Sequence, residues 1–264
     1  MRLATLLLTA ALGCGVVGAA QAASPAATAH PHPVVVPAQQ GQAQVDPQAV
    51  QALAKMSAYL RTLQNFQIAM QTQRDDVDVY GQLITLDGQA NYKVRRPNGL
   101  AIDLASPTMN RQYVYDGKTV TVFDPKTGYF AKIQAPATLH ETLEMAEDKY
   151  GVELPLADLF TWTEGDDRAR DLTSAHFIGQ AQVNGQTANH YAFRQPGVDW
   201  QIWIADGDKP APLRVVIVAS DDPARPKFQA DLTWDTAPQF ADNAFAFTPP
   251  ANARQIQIHP LAER

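Results

Sequence analysis

The chain has 264 residues, 45% of them hydrophobic, which is enough for a sizeable core in one large all-β domain or two smaller ones. A formal charge of −6 leaves none of the basic footprint that binds nucleic acid or an anionic membrane. The single cysteine, Cys14, excludes a disulfide framework and cysteine-based metal sites.

Residues 1–22 read as an export signal. Arg2 supplies the positive start, Leu3–Val17 is almost wholly apolar, and Ala20-Gln21-Ala22 offers an A-x-A cleavage site before Ala23. Ala11-Leu12-Gly13-Cys14 also fits a lipobox loosely, so anchoring of a lipoprotein through Cys14 is the alternative. Either route delivers the protein to the periplasm, and no later apolar run is long enough to span a bilayer. Residues 23–46 are rich in Ala, Pro and Gln without sustained periodicity, which predicts a disordered linker. His30 and His32 lie within it as solvated side chains.

Asp46-Pro47 opens a helix, with Asp as the cap and Pro at its first position. Val50, Leu53, Met56, Leu60 and Leu63 share one arc at helical spacing. Period two follows: Phe66, Ile68 and Met70 alternate with polar residues, and Val77–Leu86 reads as a second strand ending at an Asp87-Gly88 turn. Pro97-Asn98-Gly99 marks the next turn, between Asn91–Arg95 and Leu100–Ala105. Gln112–Ile133 reads as two successive hairpins. The first turns at Asp116-Gly117, with Tyr115 paired to Lys118, so that Tyr113, Tyr115, Val120 and Val122 share one apolar face.

The meander breaks at Thr138–Tyr150, a helix with Leu139, Leu143, Ala146 and Tyr150 on one stripe and Gly151 as its stop. Leu154–Trp162 reads as a second short helix. Strands then resume. Ala175–Val183 and Gln186–Arg194 flank an Asn184-Gly185 turn, and Asp199–Ala205, Leu213–Ala219 and Lys227–Asp235 complete a second meander. Phe245-Ala-Phe-Thr-Pro-Pro is expected to close the sheet edge, because Pro cannot extend a ladder. The fold class that results is mainly β (α+β). A curved antiparallel half-barrel of about 11 strands wraps around the N-terminal helix and the helical insertion, with polar residues on its convex side. The Gln112–Ile133 strands are expected at its middle, under the insertion.

Catalytic patterns are missing from the sequence. There is no G-x-S-x-G, no phosphate-binding glycine loop, no dinucleotide fingerprint and no EF-hand loop. His140, Glu144 and Asp148 form a helical stripe, but a zincin helix needs a second His where Glu144 stands. It reads as a solvated face. Uniform pairing from Val183–Gln186 sets His176 opposite Phe193 and His190 opposite Gly179, on opposite faces of their hairpin, where they share neither a metal nor a proton. Asp206/Asp208 and Asp221/Asp222 are turn residues, and Arg95 and Arg96 point to opposite faces of their strand. No catalytic residue, metal site or cofactor is assigned.

The export signal, amphipathic helix, meander, Y-D-G-K-T-V hairpin, helical insertion, second meander and closing F-x-F-x-P-P together resemble the LolA/LolB-like superfamily. Within it they are most similar to predicted periplasmic proteins classed as a domain of unknown function. The resemblance spans about Val45–Ile258 and implies a single domain over 47–264, with helices as a lid over an apolar cavity for lipid or acyl chains. It implies a monomeric, non-enzymatic binder of a hydrophobic small molecule, a lipid or an acylated protein, in transient contact with inner- or outer-membrane components. The alternative is an envelope sensor or regulatory module that grips a protein partner through the same fold. Candidate lining residues are Ile68, Met70, Leu83, Ile102, Leu104, Tyr113, Val120, Ile202, Ile217 and Leu232 from the sheet, with Leu143 and Leu159 from the helices. Taken singly, each of these is better read as an ordinary core residue.

Overall fold

The computed structural model describes residues 44–152, 154–157, 159 and 170–261. The expected export signal, most of the linker with His30 and His32, and much of the helix expected at Leu154–Trp162 lie outside the described residues. The first meander comprises β1 (Asn65–Val77), β2 (Leu83–Arg95), β3 (Gly99–Ala105), β4 (Asn110–Tyr115), β5 (Thr119–Asp124) and β6 (Tyr129–Gln134). The second comprises β7 (Ser174–Val183), β8 (Gln186–Gln195), β9 (Val198–Ala205), β10 (Pro212–Ala219) and β11 (Lys227–Asp235), and β12 (Arg254–Gln255) is a short last strand. Helix α1 (Pro47–Thr62) precedes the first meander and α2 (Leu139–Tyr150) separates the two. All the strands join one curved, open sheet in the order β12-β6-β5-β4-β3-β2-β1-β11-β10-β9-β8-β7. The half-barrel is as expected, with a twelfth strand added.

This order sets the course of the connection between the meanders. The two meanders meet where β11 pairs with β1, so β6 and β7 lie towards opposite edges of the sheet. The connection between them carries α2 and must cross the sheet, and Leu139 and Leu143 of α2 join the same apolar cluster as α1 and the concave face. The β4–β6 strands therefore lie on one flank, under α2, and not at the middle. The centre belongs to β1 and its neighbours.

Local signals set the helix ends. Asp46 accepts the Gln48 amide at 2.8 Å, and Pro47 lacks the amide that would otherwise be unpaired there. Ala49, Met56 and Leu60 bury the inner face of α1, with Val50 and Leu53 half-buried beside them. Thr138 caps α2 by accepting the Glu141 amide at 3.3 Å while its hydroxyl donates to the Glu141 carboxylate at 2.7 Å. Gly151, at φ 63°, ends it.

Three expected turns have three different outcomes. Asn184 and Gly185 both take positive φ, 50° and 77°, and Val183 pairs with Gln186 as the two-residue turn requires. At Asp116-Gly117 the positive φ belongs to Gly117 alone, and Tyr115 pairs with Val120, not Lys118. The register is two residues from the expected one, an even slip, so Tyr113, Tyr115, Val120 and Val122 still share a face. Asp87-Gly88 is not a turn at all but lies inside β2. A Cβ on Gly88 would meet Thr72 Oγ1 at 2.8 Å and the Ala105 carbonyl at 3.1 Å, so the glycine serves close strand approach. The chain turns instead at Asp78–Gln82.

The C-terminal segment departs from expectation too. Phe247 packs on Phe123 and Phe130, with ring centroids 5.4 Å apart in each case, on the outer face of β5 and β6. The convex side is therefore not uniformly polar. The edge is closed further on, by β12 pairing in parallel with β6.

Candidate functional site

Alternation along each strand sends one set of side chains inward, and the register aligns these sets into rungs. One rung runs Trp234–Ile68–Tyr92–Ile102–Tyr113–Val122–Ala131 across seven strands. Beside it runs Phe66–Val94–Leu100–Tyr115–Val120–Ile133. The concave face is thus a continuous apolar floor.

Of the twelve residues picked from the sequence, Ile68, Met70, Ile102, Leu104, Val120, Leu143, Leu159, Ile202 and Leu232 are buried in this one cluster, and Tyr113 and Ile217 pack against it. Leu83 does not. It pairs with Val77 near the β1–β2 tip, is 46% exposed, and stands on the face opposite Ile84, which continues the inward set. The misplaced turn at Asp87-Gly88 is what hid this, because it broke β2 into two strands with independent alternation.

Two tyrosine hydroxyls of the floor serve as polar anchors. The Tyr92 hydroxyl donates to the Pro155 carbonyl at 2.8 Å and the Tyr115 hydroxyl to the Pro136 carbonyl at 2.6 Å, which ties the connection to the floor before and after α2. Burial, with the neighbouring Tyr113 adding to it, pushes the Tyr92 phenol well above its ordinary range, so it stays a donor. The Leu139 amide donates to Pro97 O at 2.8 Å, and the Leu261 amide to Lys149 O at 2.7 Å, holding the two ends of α2. Between α2 and β3–β6 lies a cavity of about 20 Å³, lined by Leu100, Tyr113, Tyr115, Val120, Val122, Ile133 and the inner face of α2 from Thr142 to Tyr150. Thr142, buried with its hydroxyl 3.4 Å from Pro136 O, had no sequence signal. A larger open groove, about 270 Å³, lies on the outer side between Lys93, Asp103, Gln112 and Phe247.

The remaining candidates are scattered. His140 and Glu144 are exposed and 3.5 Å apart on the outer surface of α2. Arg95, the last residue of β2, lies over Phe245 on the convex side, and Arg96, in the turn that follows, over Phe66 on the concave side, so the two point to opposite faces as expected. Asp206 accepts from Asn189 at 3.1 Å, and Asp222 from the Ala224 amide at 2.8 Å. The histidine expectation fails: a bulge between Phe177 and Gly179 pairs His176 with Ala192 while His190 remains opposite Gly179. Both imidazoles therefore share the convex face. Gly179, inside a strand, was the signal for that bulge. His190 stacks on Trp203 at 3.8 Å and bonds Gln201 at 2.9 Å, and burial, with His176 adding to it, lowers its pKa. Among the described residues no group of three or more His, Cys, Asp or Glu is placed to hold a metal.

The fold defines a class: an open antiparallel half-barrel whose apolar concave face is crossed by a helical connection. The chain belongs to the DUF2092 family of predicted periplasmic proteins, whose description matches residues 49–259. It is a periplasmic protein. No curated protein matches the sequence. Among solved structures it is similar to the Mycobacterium tuberculosis lipoprotein LppX, with 15% identity over 75% of this chain and 100% of that one, at a TM-score of 0.47. It is also similar to LprF from Mycobacterium bovis, with 10% identity over 78% and 100% of the two chains, at a TM-score of 0.46. An uncharacterized conserved protein from Thermus thermophilus matches at 11% identity over 80% and 99%, at a TM-score of 0.45.

Proposed function

We propose that the protein is a non-enzymatic periplasmic binder of a lipid or acyl chain, held between the concave face and α2. The observation that carries this reading is the construction of the lid. A floor of apolar rungs crossing many strands is covered, on the β3–β6 flank, by one helix tied down through a hydrogen bond near each end. Small-molecule pockets run to about 300–1,000 Å³, so the cavity of about 20 Å³ is the closed state, and a ligand enters by displacing α2.

The magnitudes permit this exchange. Leu139 and Leu143 together contribute about 3–6 kcal/mol at about 1.5–3 kcal/mol for each buried side chain. A chain of about 16 carbons gains on the order of 12 kcal/mol at about 0.8 kcal/mol per buried CH₂. Ordering costs of several kcal/mol leave binding that is favourable and reversible. No polar recognition group is required, in keeping with a floor whose buried hydroxyls are used to hold the connection.

The test is titration of delipidated protein with a fluorescent long-chain fatty acid, alongside native mass spectrometry of protein recovered from the periplasm. Saturable one-to-one binding, displaced by unlabelled acyl chains of increasing length with rising potency, is the expected result. Failure of chains of about 14–18 carbons to bind or displace, with protein recovered empty, sinks the proposal.

A further inference from the structure

The β1–β2 hairpin runs past both of its neighbours. β3 ends at Ala105, opposite Gln89, so among the described residues Leu83–Gly88 have no strand partner on that side. On the other side the β11 ladder ends where Arg74 meets Phe228. The unpartnered part of β2 corresponds to about 20 Å of extended chain at about 3.3 Å per residue.

Its tip is ordered. The Asp78 amide donates to Gln82 O and the Gly81 amide to Asp78 O, both at 2.9 Å, and the Asp78 carboxylate accepts the Tyr80 and Gln82 amides at 2.9 and 2.8 Å. This closed turn holds Val79 and Tyr80 outward, 93% and 90% exposed. Behind them the pairing sets Val77 beside Leu83 on one face, with Ile84 and Leu86 on the other. An ordered projection that is apolar at its apex and on both faces is shaped to enter a socket. Its charge selects the kind of socket. From Arg74 to Gly88 there is one arginine against four aspartates, Asp75, Asp76, Asp78 and Asp87, and Arg74 lies 3.5 Å from Asp76. Carboxylates this close to the apex are repelled by anionic headgroups and resist burial in hydrocarbon, whereas a basic rim attracts them.

We propose that the β1–β2 hairpin is a docking finger for a folded envelope protein that presents an apolar pocket rimmed by lysine or arginine. The finger is independent of whatever the concave face holds.

The full chain, carrying the photo-crosslinker p-benzoylphenylalanine at position 80, is expressed in its own host and irradiated, with the same probe at position 129 as the control. Position 80 is expected to give one discrete protein adduct whose cross-linked peptide joins apolar residues to Lys or Arg, and position 129 is not. In solubilised envelopes the adduct falls at least fivefold at about 0.5 M salt, as screening of an exposed charged rim requires. Asp76→Asn with Asp87→Asn lowers it similarly, with circular dichroism confirming that the variant is folded. Purified wild-type protein is not expected to float with phosphatidylcholine vesicles. Adducts to phospholipid, flotation with vesicles, cross-linking to a second copy of this chain, an acidic partner peptide, or no adduct specific to position 80 each overturn the proposal.

Discussion

Truncating Leu143 to alanine removes three carbons from the side chain with which α2 closes the cavity over Tyr113, Tyr115 and Val120. The lost transfer energy is about 2.4 kcal/mol at about 0.8 kcal/mol per carbon. The cavity contribution depends on how far the surroundings settle. α2 has no strand ladder, and its bonds to Pro97 O and from Leu261 lie at its two ends, so it can move inward. The total should stay near about 2–3 kcal/mol, at the low end of the range for Leu→Ala. Ile102→Ala is the comparison, because β3 is paired on both sides, to β2 and β4, and cannot settle; it should cost about 3–5 kcal/mol. Urea denaturation measures both, and hydrogen exchange reads the protection of α2 and of β3 separately. Leu143→Ala is expected to release the α2 amides by local opening while β3 stays protected, and to raise binding of N-phenyl-1-naphthylamine at the concave face. If the two variants lose the same stability and α2 exchanges only through global unfolding, α2 is a core helix and the lid argument fails.

Gly88→Ala should destabilise by about 1–3 kcal/mol through overpacking against Thr72 and the Ala105 carbonyl, and Thr72→Ala in the same chain should restore part of the loss by removing the nearer contact; thermal unfolding of the two variants decides this. Tyr92→Phe leaves the fold intact but strips the bond to Pro155, costing about 1–2 kcal/mol, with hydrogen exchange rising around residues 154–157. His190, half-buried against Trp203 and facing His176, has its pKa lowered in the folded state by burial. As the pH falls below the ordinary value of 6.5, the unfolded chain takes up its proton first, so stability declines with acidification until the folded pKa is passed. Chemical denaturation at pH 7.5 and 5.5 should show this decline, reduced in His190→Gln; an unchanged pH response refutes it.

The parts of the fold that were legible in the sequence depend on interactions within a few residues. The Asp46-Pro47 start of α1, the Gly151 stop of α2, the Asn184-Gly185 turn and the strand alternation from Phe66 are of this kind. What was not legible depends on a neighbour distant in sequence. Asp87-Gly88 and Asn184-Gly185 are equivalent as dipeptides, yet Gly88 is needed inside a strand because Thr72 and Ala105 lie against it, while the Asp78 carboxylate builds the turn a few residues earlier. The bulge between Phe177 and Gly179 shifts one strand by a residue, and that moved His176 to the face of His190. An odd slip exchanges faces, whereas the even slip at Tyr115 preserved them.

The candidate site was legible only as apolar pattern, and the reason is physical. A floor that packs a lid and a floor that packs a ligand select the same residue types, since both are stabilised by apolar area removed from water. Ile102 and Tyr113 would read identically in either case. What separates the two is how the opposing layer is attached, and that is set by topology. Because β6 and β7 lie towards opposite edges of one sheet, the chain between them runs from one flank to the other, and α2, on that connection, packs against the concave face without strand pairing to fix it. A helix attached in this way can leave without breaking a ladder, whereas any strand of the floor cannot. On the proposed reading, what distinguishes a lid from a core helix therefore resides in the strand order, a property that no local stretch of the sequence carries.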